Sequence, residues 1–236
     1  MKAKTIGTIT RRELRSIFIS PIAYIVIAIY LALTGWFFFS TFFLAGRADM
    51  RSFFGMMPIL FSFTIPAVTM RLFSEEYSTG SFEMLKTQPL TIGDIVGGKF
   101  LSSLVFIMIM IAPTIAYAVS VSSVGSLDWG PVVGGYLGAV LLAGTYSAIG
   151  IFASSLTRNQ IVAFIISAAV CVLLSLINQL TWVLPPAVGN LLSSLGTAYH
   201  FSNIARGIID SRDLVYFASV IFLALYGSWL LNQEKK

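Results

Sequence analysis

The chain has 236 residues, 57% of them hydrophobic and 11% charged, with a mean hydropathy of +0.87. Soluble domains carry about 25% charged residues, so this composition excludes a water-facing globular surface, and its apolar content excludes a disordered chain. Fifteen Lys and Arg against ten Asp and Glu give a net charge of +5, too sparse for a nucleic-acid-binding face.

The single Cys171 rules out an internal disulfide scaffold and brings no companion ligands for a metal. What fits is an all-α integral membrane protein. Its long apolar runs lack the apolar/polar alternation of an outer-membrane strand.

At the N-terminus, Ile6, Ile9, Leu14, Ile17 and Phe18 recur at helical spacing, with Arg11, Arg12 and Arg15 between them. This predicts an amphipathic helix over 4–20, resting on membrane lipids with its arginines at the headgroups. Pro21 marks a bend into the first span, near 22–44. That span is longer than the roughly 7–15 apolar residues of a signal peptide, and no small-residue cleavage site follows, so it is expected to stay as an anchor.

Further spans are expected near 53–70, 100–121, 132–156, 161–180 and 214–231, each close to the roughly 20 residues that cross a hydrocarbon core. Between the last two, Pro185, Pro186, Gly189, Asn190, Gly196, His200 and Asn203 interrupt the pattern. Segment 181–212 therefore reads as short external helices, with a seventh span over 188–205 as the alternative. Trp182 suits an interfacial position. His200 reads as an interfacial polar residue without a role.

With six spans, Lys2, Lys4, Arg11, Arg12, Arg15, Arg71, Lys86, Lys99, Arg158, Lys235 and Lys236 share one side, against Arg47, Arg51, Arg206 and Arg212 on the other. The positive-inside rule then makes both termini cytoplasmic.

No Asp, Glu, Lys or Arg lies within the six core spans, which argues against a proton-coupled carrier and leaves no catalytic constellation in the bilayer. Pro66 and Pro113 are candidate kinks or hinges. Gly135, Ala139, Ala143 and Ser147 form a small-residue ridge on span four, with Gly134 and Gly138 as a G-x-x-x-G pair beside it. Such a ridge permits close helix approach, either to a neighbouring span or to a second copy.

Loop 71–99 is the densest in charge. Two short helices fit it, one near 74–87 and one starting near Thr91, which is capped by its own side chain and Asp94. Phe73, Tyr77, Phe82, Met84 and Leu85 are apolar in a loop expected to face water, so they call for a partner surface or headgroups. Residues 93–100 (GDIVGGKF) imitate the start of a phosphate-binding loop, but Phe100 replaces the Ser or Thr and a span follows instead of a strand–loop–helix context. ATP hydrolysis by this chain alone is not expected.

Residues 71–85 (RLFSEEYSTGSFEML), followed by Pro89 and Lys99, resemble the signature loop of ABC type-2 exporter permeases, E-x-x-x-G-T/S-x-E-x-L. Residues 12–24 (RELRSIFISPIAY) and 154–160 (SSLTRNQ) are similar to the gliding-motility, GldF-like branch. The resemblance implies six spans, a surface N-terminal helix, a cytoplasmic coupling helix between spans two and three, and residence in the bacterial inner membrane.

It also implies a non-enzymatic permease, paired with a second permease chain of the same or another kind. Two cytoplasmic ATP-binding subunits would bring the ATP and Mg, and a periplasmic accessory protein is a further expected partner. Glu75, Glu76, Gly80, Ser81, Phe82, Glu83 and Leu85 would then form the coupling contact, and Thr157, Arg158 and Asn159 a second, smaller one. The rival readings are an ATPase-independent channel or carrier, and a scaffold driving a periplasmic machine.

Overall fold

The computed structural model describes residues 2–45, 49–180, 194–208 and 210–234. Among them there are helices and no strands. Helix α1 (Lys2–Ile19) meets α2 (Pro21–Ala45) at a bend on Ser20. Pro21 opens α2 at a position where its missing N–H costs nothing. Next come α3 (Arg51–Thr69), α4 (Arg71–Thr79), α5 (Ser81–Lys86) and α6 (Ile92–Ile111). A 3-10 turn (Ala112–Thr114) leads to α7 (Ile115–Val124), α8 (Trp129–Leu156) and α9 (Gln160–Leu180). The last two are α10 (Thr197–Ala205) and α11 (Ser211–Glu234).

Six of these stretches are long and apolar enough to cross a membrane: α2, α3 with α4, α6 with α7, α8, α9 and α11. Helix α10, at nine residues, is too short to span. The first part of the candidate seventh span, 188–193 with Gly189 and Asn190, lies outside the described residues, as do Trp182, Pro185, Pro186, Arg47, Lys235 and Lys236.

Helix α8 is the hub, packed against α3, α6, α9, α10 and α11. Its small residues make this possible. A Cβ on Gly135 would stand 2.4 Å from the Phe54 ring, and one on Gly134 2.4 Å from the Ile204 carbonyl oxygen. One on Gly138 would press on Phe201 at 3.2 Å. Ala139, Ala143 and Ser147 are buried on the same helix. The ridge is thus filled by α3 and α10 of its own chain.

One buried polar group pairs across three helices, as a low-dielectric interior favours. The Tyr146 hydroxyl lies 2.6 Å from Ser175 Oγ and 2.8 Å from Thr197 Oγ1, joining α8, α9 and α10.

The two expected kinks differ. Pro66 is absorbed: its carbonyl accepts from Met70 N at 2.9 Å, and α3 runs on into α4 through a helical Met70. At Pro113 the α-helix gives way to the 3-10 turn before resuming as α7. The capping box expected at Thr91 is present, Asp94 N donating to Thr91 Oγ1 and Thr91 N to Asp94 Oδ2, each at 3.2 Å.

Candidate functional site

Helices α1, α4 and α5 gather at one end of the bundle, around the start of α6. Helix α1 docks on α6 because Gly98 has no side chain: a Cβ there would lie 2.5 Å from Ile9 Cγ2. Thr10 Oγ1, within reach of the Gly98 carbonyl at 3.3 Å, lies on the same contact. Ile9, Glu13 and Ile17 face inward, while Arg11, Arg12 and Arg15 stay exposed.

Beside Gly98 sits Lys99, which is 0% exposed. Its Nζ lies 2.8 Å from Glu76 Oε1 and 3.5 Å from Glu13 Oε1, donates to the Leu72 carbonyl at 2.6 Å, and stands 5.0 Å from the centre of the Phe73 ring. Arg12 Nη2 completes the group, 2.6 Å from Glu13 Oε1 and 3.5 Å from Glu76 Oε1. Two cations and two carboxylates thus balance, and they join α1, α4 and α6. A buried ammonium needs such partners, since an unpaired charge there costs several kcal/mol by order of magnitude.

The junction of α3 and α4 is held from α8. Ser154 Oγ accepts from Phe73 N and Ser74 N, both at 3.0 Å, and donates to the Met70 carbonyl at 2.7 Å. One hydroxyl thereby satisfies two amides at the junction. Gly150, one turn earlier, lets α8 approach: a Cβ there would meet Thr69 Oγ1 at 2.0 Å. Tyr77 reaches across to donate its hydroxyl to Asn232 of α11.

The apolar residues of loop 71–99 do not await a partner. Phe73, Phe82 and Leu85 are buried in a small core with Ile9, Leu72, Ile95, Val96 and Ile151, and Tyr77 packs against it. The rings of Phe73 and Tyr77 lie 5.9 Å apart, and Phe82 meets Tyr77 edge-on at 5.0 Å. The amphipathic pattern was real, but α1, α6 and α8 of the same chain cover the apolar face. Met84, 69% exposed, is the exception.

The expected helix over 74–87 is divided at Gly80, whose φ of +72° sets α5 at an angle to α4. Glycine adopts that conformation without a steric penalty.

The expected coupling residues therefore take different positions. Glu76, Phe82 and Leu85 turn inward; Glu75 pairs with Arg71 at 3.1 Å on the surface. Gly80 and Glu83 are exposed, and Ser81 is half-buried. An open groove of about 540 Å³ runs between α1 and α4–α5, bordered by Arg12, Glu13, Arg71, Glu75, Ser81 and Met84.

Thr157, Arg158 and Asn159 form a tight turn. Thr157 Oγ1 accepts from Asn159 N at 3.1 Å, and Asn159 Oδ1 accepts from Ile161 N at 2.9 Å, capping α9. Arg158 projects from this turn, exposed. The sequence pattern gave no helix-joining role to Glu13, Gly98, Lys99 or Ser154. Residues 93–100 lie within α6 and form no loop.

His200 is also placed differently from expectation. It is buried, with Nδ1 2.6 Å from Asp213 Oδ1, Nε2 2.9 Å from the Ser194 carbonyl, and its ring stacked 4.0 Å from that of Tyr216. It ties α10 to the start of α11. Among the described residues no cluster of three or more His, Cys, Asp or Glu could hold a metal ion.

These features define a six-span, all-helical membrane domain with a buried charge cluster clamping its N-terminal helix to spans two and three. The family model for the ABC-2 family transporter proteins matches residues 8–195, most of the chain, which therefore belongs to that family. It is a membrane component of an ABC transporter. Comparison with curated proteins gave no match.

Proposed function

We propose that this chain is the permease subunit of an ATP-driven exporter in the bacterial inner membrane, and that cytoplasmic ATP-binding subunits dock on the α1–α4–α5 end. The observation that carries this reading is the Lys99 cluster. It binds α1, α4 and α6 into one unit, while α5 offers Glu83 and Met84 outward. Phe82 and Leu85 pack α5 into the same small core as Ile95 and Val96 of α6, so displacing α5 displaces α6, and Ser154 passes the movement to α8.

The chain acts as a lever and a path; ATP and Mg belong to the partner. Two permease chains enclose the path, and α2 offers them a broad apolar face with Ile25, Ile29, Leu33, Trp36 and Phe37 exposed. A gliding-motility role, in which the same stroke drives a periplasmic accessory protein, is the narrower form of the proposal and rests on residues 12–24 and 154–160.

The test is purification of the tagged chain from its native membrane in mild detergent. The wild type should retain an ATP-binding subunit, whereas Glu83→Lys with Met84→Asp should lose most of it at unchanged membrane insertion. Full retention by the double variant would remove α5 as the dock. Absence of any ATP-binding subunit, even after crosslinking, would favour the channel or carrier reading.

A further inference from the structure

The end of the bundle opposite α1 carries a cavity of about 500 Å³ between α3 and α10, a size suited to a small ligand. Phe54, Gly55, Pro58 and Phe201 form apolar parts of its lining, and Arg51 and Arg206, both exposed, border it. Among the described residues no carboxylate lines it. Neither arginine enters an ion pair among the described residues.

Two acidic residues nearby each accept a backbone N–H. Asp49 and Asp128 border the adjoining recess beyond Arg51. Asp49 Oδ1 takes the Arg51 backbone N–H at 3.2 Å, and Asp128 Oδ1 caps α8 through Gly130 N at 3.0 Å. Met50, which precedes α3, makes no side-chain cap, and the Asp49 carboxylate takes up the first free N–H of that helix instead.

Arg51 is the first residue of α3, at the level where the apolar run begins. Pro58 lies seven residues further on, roughly 10 Å deeper at helical rise. The cavity thus pairs two cations at the membrane boundary with an apolar channel beneath them. A free anion would occupy only the upper part. Gly55 leaves the wall open, since a Cβ there would meet nothing within 4 Å.

We propose that this cavity is a binding site for an anionic lipid, its headgroup held by Arg51 and Arg206 and an acyl chain laid over Phe54 and Gly55 toward Pro58. In the orientation given above it opens to the outer leaflet. The site needs no ATP-binding partner, so it stands or falls separately from the docking proposal.

The experiment titrates the full chain, purified in neutral detergent, with short-chain phosphatidylglycerol, short-chain phosphatidylcholine and inorganic phosphate. Bound molecules are counted by native mass spectrometry. Phosphatidylglycerol should bind about tenfold or more tightly than phosphatidylcholine, the scale of a lost charge-assisted contact. Arg51→Gln with Arg206→Gln should abolish that preference. Gly55→Leu should weaken phosphatidylglycerol binding while leaving the melting temperature unchanged, because it fills open space. Equal binding of the two lipids, or undiminished binding by both variants, would overturn the proposal. Inorganic phosphate binding as tightly as phosphatidylglycerol would also overturn it, in favour of a free-anion site.

Discussion

Lys99 shows what a single residue costs and contributes here. Fully buried, it is paired with Glu13 and Glu76 and donates to the Leu72 carbonyl. Removing one member of such a group leaves the opposite charges stranded, at about 3–5 kcal/mol. Lys99→Met is therefore expected to lower the melting temperature sharply in detergent. Adding Glu76→Gln should recover part of the loss, because one stranded carboxylate becomes neutral. A double variant no more stable than the single one would show that Lys99 acts by packing alone.

This role was hidden in the sequence, where a lysine at the head of a span reads as an ordinary interfacial cation. Its partner Glu13 is 86 residues away, and only folding brings them together. The local capping box at Thr91 and Asp94 was legible because it spans four adjacent residues. The His200–Asp213 contact was not, since it depends on how α10 meets α11.

At the scale of elements, glycines decide which helices touch. Gly98 admits Ile9 of α1, and Gly135 admits Phe54 of α3. Inserting bulk at such contacts costs about 1–3 kcal/mol. Gly98→Ala should loosen α1 and expose it to limited proteolysis, and Ile9→Ala in the same chain should restore protection by vacating the space. If Gly98→Ala alone left α1 fully protected, the close approach would not be what positions the helix.

The six spans were readable from their charge-free windows because a bilayer imposes both length and apolarity. The covering of loop 71–99 was not. An amphipathic face announces that something will bury it, but a sequence pattern is the same whether that cover is a partner or its own α1. Gly80 was legible as a breaker, and its φ of +72° is the reason α5 departs from α4.

For the whole molecule, the proposed docking puts the α1–α4–α5 end in the cytoplasm and the Arg206 end outside. Cys171 is buried, so single cysteines introduced elsewhere report accessibility against a quiet background. A cysteine at Arg206 should react with a membrane-impermeant reagent added to intact spheroplasts, and one at Glu83 only after the membrane is opened. The reverse pattern would invert the topology.

The six spans and their hub fix the two ends relative to each other, so the site of docking is a question about one surface. A photo-crosslinking residue placed at Met84, with a second at Arg206 as control, addresses it in native membranes. The Met84 probe should capture an ATP-binding subunit and the Arg206 probe should not. Capture from Arg206 alone, or no ATP-binding subunit from Met84 in a fully assembled membrane, would contradict docking at α5.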